Sequence, residues 1–67
     1  MSVDITPELR VDPNGPRMWR VVQNSDDLII GEIVEEGTEK FTRYGRAFAY
    51  RVGTFTTLAA AATLGEN

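Results

Sequence analysis

Lys40, Arg43, Arg46 and Arg51 are interleaved with Phe41, Tyr44, Phe48 and Tyr50. Cations beside aromatic rings at this spacing can hold a nucleic acid, the cations on phosphates and the rings on bases. The competing use of the pattern is a strand with one face in a core and the other in water. Carboxylates come in pairs at Asp26-Asp27 and Glu35-Glu36, with Glu32 and Glu39 close by. Two carboxylates divide acid and base roles only where burial separates their affinities for the proton. These fall in or beside turns, where both stay solvated. The chain has no His and no Cys, which removes the commonest general base and the thiol nucleophile. Gly31, Gly37, Gly45 and Gly53 are too widely spaced for a phosphate loop, and Ser2 and Ser25 lack an adjacent base. The Gly-containing acidic pattern of a calcium loop is absent, and so are the Cys and His ligands of structural zinc. No catalytic residue, metal or cofactor is expected.

The elements that must position these residues are short. Pro7, Pro13, Asn14-Gly15 and Pro16 punctuate residues 1–16, which read as an extended arm, because Pro fits neither a helix interior nor a central strand. Thr6-Pro7-Glu8 could cap a helical turn. Residues 17–67 read as the folded unit. Arg17 to Gln23, with Trp19 as a core anchor, is a strand, and Asn24 to Asp27 is a turn of short polar side chains. Leu28 to Glu35 is a second, β-branched strand. After the turn Glu36-Gly37-Thr38, Phe41 to Val52 is a third strand, bent or even split at Gly45. Gly53 is expected to end the sheet. Thr56 or Thr57 then caps an alanine-rich helix closed at Gly65. The fold class that follows is α+β: a three-stranded antiparallel β-meander, a short C-terminal helix and an extended N-terminal arm.

Alternation along the strands puts Trp19 and Val21 on one face, and Met18 and Val22 on the other with Arg20. In the second strand Ile29 and Ile33 share one face, and Leu28, Ile30 and Val34 the other. Both faces carry large apolar side chains, while one short helix covers only one. Met18, Val22, Leu28, Ile30 and Val34 are therefore the candidate interface, to be covered by the arm, a second subunit or another protein. Length points the same way. Chains of this size bury only ~60% of their unfolded surface, and cores this small contribute ~3–5 kcal/mol. Without disulfides or zinc, good packing or association are the remaining sources of stability.

The 67 residues carry a net charge of −3, unevenly distributed. Residues 1–39 hold nine acids and three bases, and residues 40–67 one acid and four bases. Such polarity steers a chain toward a charged partner or another copy of itself. It is not the basic balance of a DNA-binding domain. The polar start lacks the marks of a signal peptide, and Leu58 to Leu64 is too short to cross a bilayer. A cytoplasmic protein with no membrane contact is expected.

A strand with Trp19, a strand with Gly31, a third strand, then Phe55-Thr56-Thr57 leading into an Ala-rich helix resembles the arm-type DNA-binding domains of tyrosine integrases. At this level it is also similar to small accessory proteins of bacteria and their phages. The resemblance implies a three-stranded sheet backed by a helix and, in the integrase case, contact with DNA. Glu32 and Glu35 depart from it, standing where phosphate contacts would be wanted. The reading that emerges is a non-enzymatic protein-binding or assembly module, self-associating into a homo-oligomer. The alternative is a small DNA-binding domain using Lys40, Arg43, Arg46 and Arg51.

Overall fold

Residues 2–65 are described by the computed structural model. Along the chain run β1 (Val3–Asp4), β2 (Leu9–Pro13), β3 (Met18–Gln23), β4 (Ile29–Gly37), β5 (Lys40–Gly45), β6 (Arg51–Phe55) and the helix α1 (Leu58–Thr63). The strands lie side by side in sequence order, each antiparallel to the next, in one six-stranded sheet. The expectation of a three-stranded meander with an extended arm is thus corrected. The protein is mostly β.

Two stretches account for the added strands. In the supposed arm, Leu9-Arg10-Val11-Asp12 alternates like any half-buried strand. Pro13 is the last residue of β2, where its missing N–H interrupts little of the ladder. Val11 pairs with Val21 and is fully buried, so β2 shares the core of the rest. Thr6 caps no helix. Its Oγ1 accepts from the N–H groups of Glu8 and Leu9 at 3.2 and 3.1 Å and turns the chain between β1 and β2. The second stretch follows Gly45. A 3-10 turn, Arg46–Phe48, loops out, the Gly45 N–H donates to Tyr50 O at 2.8 Å, and the chain returns as β6. Gly53 does not end the sheet; it lies inside β6 opposite Arg43.

The helix spans only six residues. Thr57 Oγ1 accepts from the Ala60 N–H at 3.0 Å. Leu64 and Gly65 turn left-handed, and the Gly65 N–H donates to Ala60 O at 2.8 Å. Six residues of helix are not stable alone. Packing holds them: Ala61 and Ala62 sit in the core with Val11, Val21 and Ile33, and Leu9, Trp19, Ile30, Phe41, Phe55 and Leu58 pack around it. Trp19 lies against Phe41, ring centroids 6.0 Å apart.

A β-bulge changes the face count. Val21 pairs with Gly31 and Val22 with Ile29, leaving Ile30 as the extra residue. Ile30 packs on the helix side, and Ile29 follows Val22 onto the opposite face. The expected partition, Ile29 with Ile33 and Ile30 with Val34, is therefore reversed at both isoleucines. A bulge shifts alternation by one residue, and here it exchanges Ile30 for Ile29 on the core side of the sheet.

Candidate functional site

The four basic candidates do not form one surface. Lys40, Arg46 and Arg51 are exposed, but Arg43 is 5% exposed. Its side chain crosses the helix side of the sheet over Gly31, where a Cβ would overlap the Arg43 guanidinium. From there Nη1 donates to the carbonyls of Ala61 and Ala62 at 2.9 and 2.8 Å, and Nε donates to Tyr44 O at 3.1 Å. The last carbonyls of a helix have no partner within it, and here an arginine from β5 supplies one. Burial pushes its pKa down, partly opposed by Tyr50. Arg43 is thus structural, and the aromatic residues divide in the same way. Phe41 joins the core, whereas Tyr44 stands on the opposite face against Phe48, with ring centroids 5.2 Å apart.

That opposite face carries a charged row. Asp12 pairs with Arg20, Arg20 with Glu32, Glu32 with Tyr44 and Tyr44 with Arg51. Among the described residues Arg20 forms an ion pair with neither Asp12 nor Glu32. Glu32 is the anomaly. It is only 5% exposed, and its Oε1 has no hydrogen-bond partner among the described residues. It lines a cleft of about 490 Å³ with Asn14, Arg20, Ile29, Arg46, Ala47 and Phe48. Ala47 and Phe48, which form one wall, are both left-handed, with φ of 58° and 59°. Non-glycine residues in this region cost on the order of 1–3 kcal/mol each. Strain and an unpaired carboxylate thus meet in one place. Replacing Glu32 with Met removes a buried oxygen that nothing bonds, so this variant should be more stable than the parent by about 1–3 kcal/mol. Urea titration reads the difference; a loss of stability would mean that Glu32 is satisfied in solution.

The five interface candidates are also dispersed. Val22 is 3% exposed, Ile30 packs on the core, Met18 and Val34 are half-buried, and Leu28 alone is exposed. Besides Val3 on β1 and Leu64 at the end of α1, the exposed large apolar side chains gather at the far edge: Phe48, Tyr50 and Val52. Tyr50 is 65% exposed, its ring over Gly45 where no Cβ intervenes. The two sheet edges differ. β1 is two residues long, and short edges resist pairing. β6 is five residues long, pairs only with β5, and contains neither Lys nor Pro. Its guards are the exposed Arg51 and a bulge at Val52, between the pairs Arg43–Gly53 and Tyr44–Arg51.

A larger hollow of about 580 Å³ lies between Pro7–Leu9 and Gln23–Ser25, and the Asn24 amide beside it is already engaged. Asn24 donates to Pro7 O and accepts from Arg10. Arg10 also pairs with Asp27 at 3.0 Å and Asp12 at 3.2 Å, and the Asp27 hydrogen bond leads in raising its pKa. This cluster ties β2 to the β3–β4 turn. Among the described residues no group of acids is placed to hold a metal ion, and no helix is long and apolar enough to cross a membrane. No family model, curated protein or solved structure matches the chain.

Proposed function

We propose that this chain is a non-enzymatic assembly module that pairs with a second copy of itself along β6. The observation that carries the reading is the open edge: five residues of strand bonded on one side only, with Tyr50 and Val52 exposed beside it. An unpaired edge offers a row of backbone donors and acceptors to another strand. An antiparallel pairing about a two-fold axis is self-complementary and closes at two copies. The sequence of β6 suits that symmetry. An axis at Gly53 pairs all five residues of β6 and sets Arg51 opposite Phe55, never opposite another Arg51. It also brings the Arg46–Arg51 end of one copy toward the Glu36–Glu39 turn of the other, because Phe55 shares a row with Phe41 and Glu35. Such charges guide register more than they add affinity. Duplex DNA is not the partner in this reading, since Arg43 is buried and the net charge is −3.

The absence of cysteine allows a clean test. Single cysteines are introduced in turn at positions 53, 54 and 55, and at Leu28 as a distant control. Facing residues on paired strands have Cβ atoms about 4.5–5.5 Å apart, close to disulfide range. Mild oxidation should yield a covalent dimer rapidly at the position nearest the axis and slowly at Leu28. Equal, slow rates at all four positions would remove β6 as the contact.

A further inference from the structure

We infer that Arg43 and Tyr50 together form a binding site for a carboxylate. Arg43 is a buried cation with no anion beside it. It is 5% exposed, yet among the described residues no carboxylate lies within ion-pair distance of it. Buried charges are ordinarily paired, because an ion loses its hydration on leaving water. The Arg43 Nε and Nη1 donate to the carbonyls of Tyr44, Ala61 and Ala62. Those bonds supply dipoles but no countercharge, and they leave Nη2, with its two N–H groups, unused. Nη2 is not sealed in. Among the described residues Glu32 Oε1 is the one buried side-chain atom without a partner, so an Nη2 that bonds nothing reaches the surface. There it can donate to an incoming acceptor.

The surroundings specify the acceptor. The Nη2 end of the guanidinium lies over Gly31, and the Tyr50 ring, with its hydroxyl-bearing carbon, lies over Gly45. Gly31 and Gly45 face each other across β4 and β5, a relation that sets Cβ positions about 4.5–5.5 Å apart. Guanidinium and phenol therefore stand side by side on a floor that carries no side chain. Tyr50 also opposes the lowering of the Arg43 pKa, which puts its hydroxyl within electrostatic reach of the guanidinium. At 65% exposure, Tyr50 leaves that hydroxyl open to a ligand. One cation and one hydroxyl match a singly charged ligand with two acceptor oxygens, which is a carboxylate. A phosphate dianion would ask for a second cation. The neighbouring arginines do not supply it: Arg51 pairs with Tyr44 on the opposite face, and Arg46 lines the cleft there. A neutral amide offers an acceptor without the missing charge. Residues 40–65 contain four basic residues and no acid, so β5, β6 and α1 set no negative side chain beside the site.

The test is titration of the full-length protein with sodium acetate and with acetamide, its neutral counterpart, at constant ionic strength made up with chloride. The Arg43 Nε–H signal and the amide signals of Gly31, Gly45 and Tyr50 report binding by NMR. Acetate should shift them saturably, and acetamide should not. Tyr50→Phe, which keeps the ring and loses the hydroxyl, should weaken acetate about tenfold, the cost of one hydrogen bond to a charged acceptor. The carboxylate can belong to a free acid or to an acidic side chain, and N-acetyl-glutamate α-amide separates the two. Tighter binding of this compound than of acetate supports the site with an acidic peptide as its source. Equal or tighter binding of acetate supports it with a small free acid. Five results would each overturn the proposal: no saturable shift, equal shifts with acetamide, tighter binding of phosphate than of acetate, unchanged affinity in a folded Tyr50→Phe, or acetate binding only in Glu66→Gln, which would give the site to the chain's own acid. The comparison of acetate with acetamide and phosphate decides the matter even if Tyr50→Phe disturbs the fold.

Discussion

Arg43→Met is expected to leave the chain largely unfolded at room temperature. The substitution keeps length and apolar bulk, so it isolates the guanidinium. That group donates to Ala61 O, Ala62 O and Tyr44 O from a nearly solvent-free position. Hydrogen bonds from a charged donor contribute ~1.5–3 kcal/mol each. Losing them leaves the end of α1 with unpaired carbonyls in the core. For a domain this small, whose core contributes ~3–5 kcal/mol, that loss is comparable to the whole. Lysine carries three donors on one nitrogen and cannot span both ends of the arrangement, so Arg43→Lys should fall between the two. Circular dichroism with thermal melting decides the question. A cooperative transition in Arg43→Met within a few degrees of the parent would show that α1 needs no anchor from β5.

Removing residues 2–13 should be equally damaging, while removing residues 2–4 should cost little. The longer deletion takes away β2, and with it Val11, fully buried opposite Val21, and Leu9, which packs on the core. Burying a side chain of this size contributes ~1.5–3 kcal/mol. The deletion also removes Arg10, whose bonds to Asn24 and Asp27 hold the β3–β4 turn, and it exposes the edge of β3. The shorter deletion removes only the two exposed residues of β1 and their flank. Thermal denaturation of both truncations reads the contrast. Two similar melting temperatures would mean that β2 contributes nothing to the core.

β3, β4 and α1 were legible in the sequence because local chemistry and periodicity agree there: β-branched runs between polar turns, and alanines between Thr57 and Gly65. β2 was obscured by its surroundings. Three prolines suggest an arm, yet each lies outside the strand or at its last residue, and Leu9, Arg10, Val11 and Asp12 alternate plainly between them. β6 was obscured by Gly53, which reads as a terminator. Its position opposite Arg43 shows a different use, a glycine inside a ladder. The Ile30 bulge has no signal in the alternation, and it overturned the assignment of faces on which the interface candidates rested. Arg43 was read as a surface cation because arginine in an exposed strand is the common case. The sign of its other role was Gly31, which leaves space for a guanidinium, but that link depends on a pairing between strands that spacing alone does not fix. In the sequence nothing local marks Glu32 as the buried acid among its neighbours.

Sedimentation equilibrium of the purified chain and of Val52→Lys, over a wide concentration range, tests the assembly reading most directly. Val52 is the exposed, bulged residue of β6, and a lysine there is the guard that natural edge strands use against pairing. The parent should approach twice the mass of one chain as concentration rises, and Val52→Lys should remain at one chain mass with an unchanged melting temperature at low concentration. A parent that stays at one chain mass at high micromolar concentration, or a dimer that Val52→Lys leaves intact, would contradict pairing along β6.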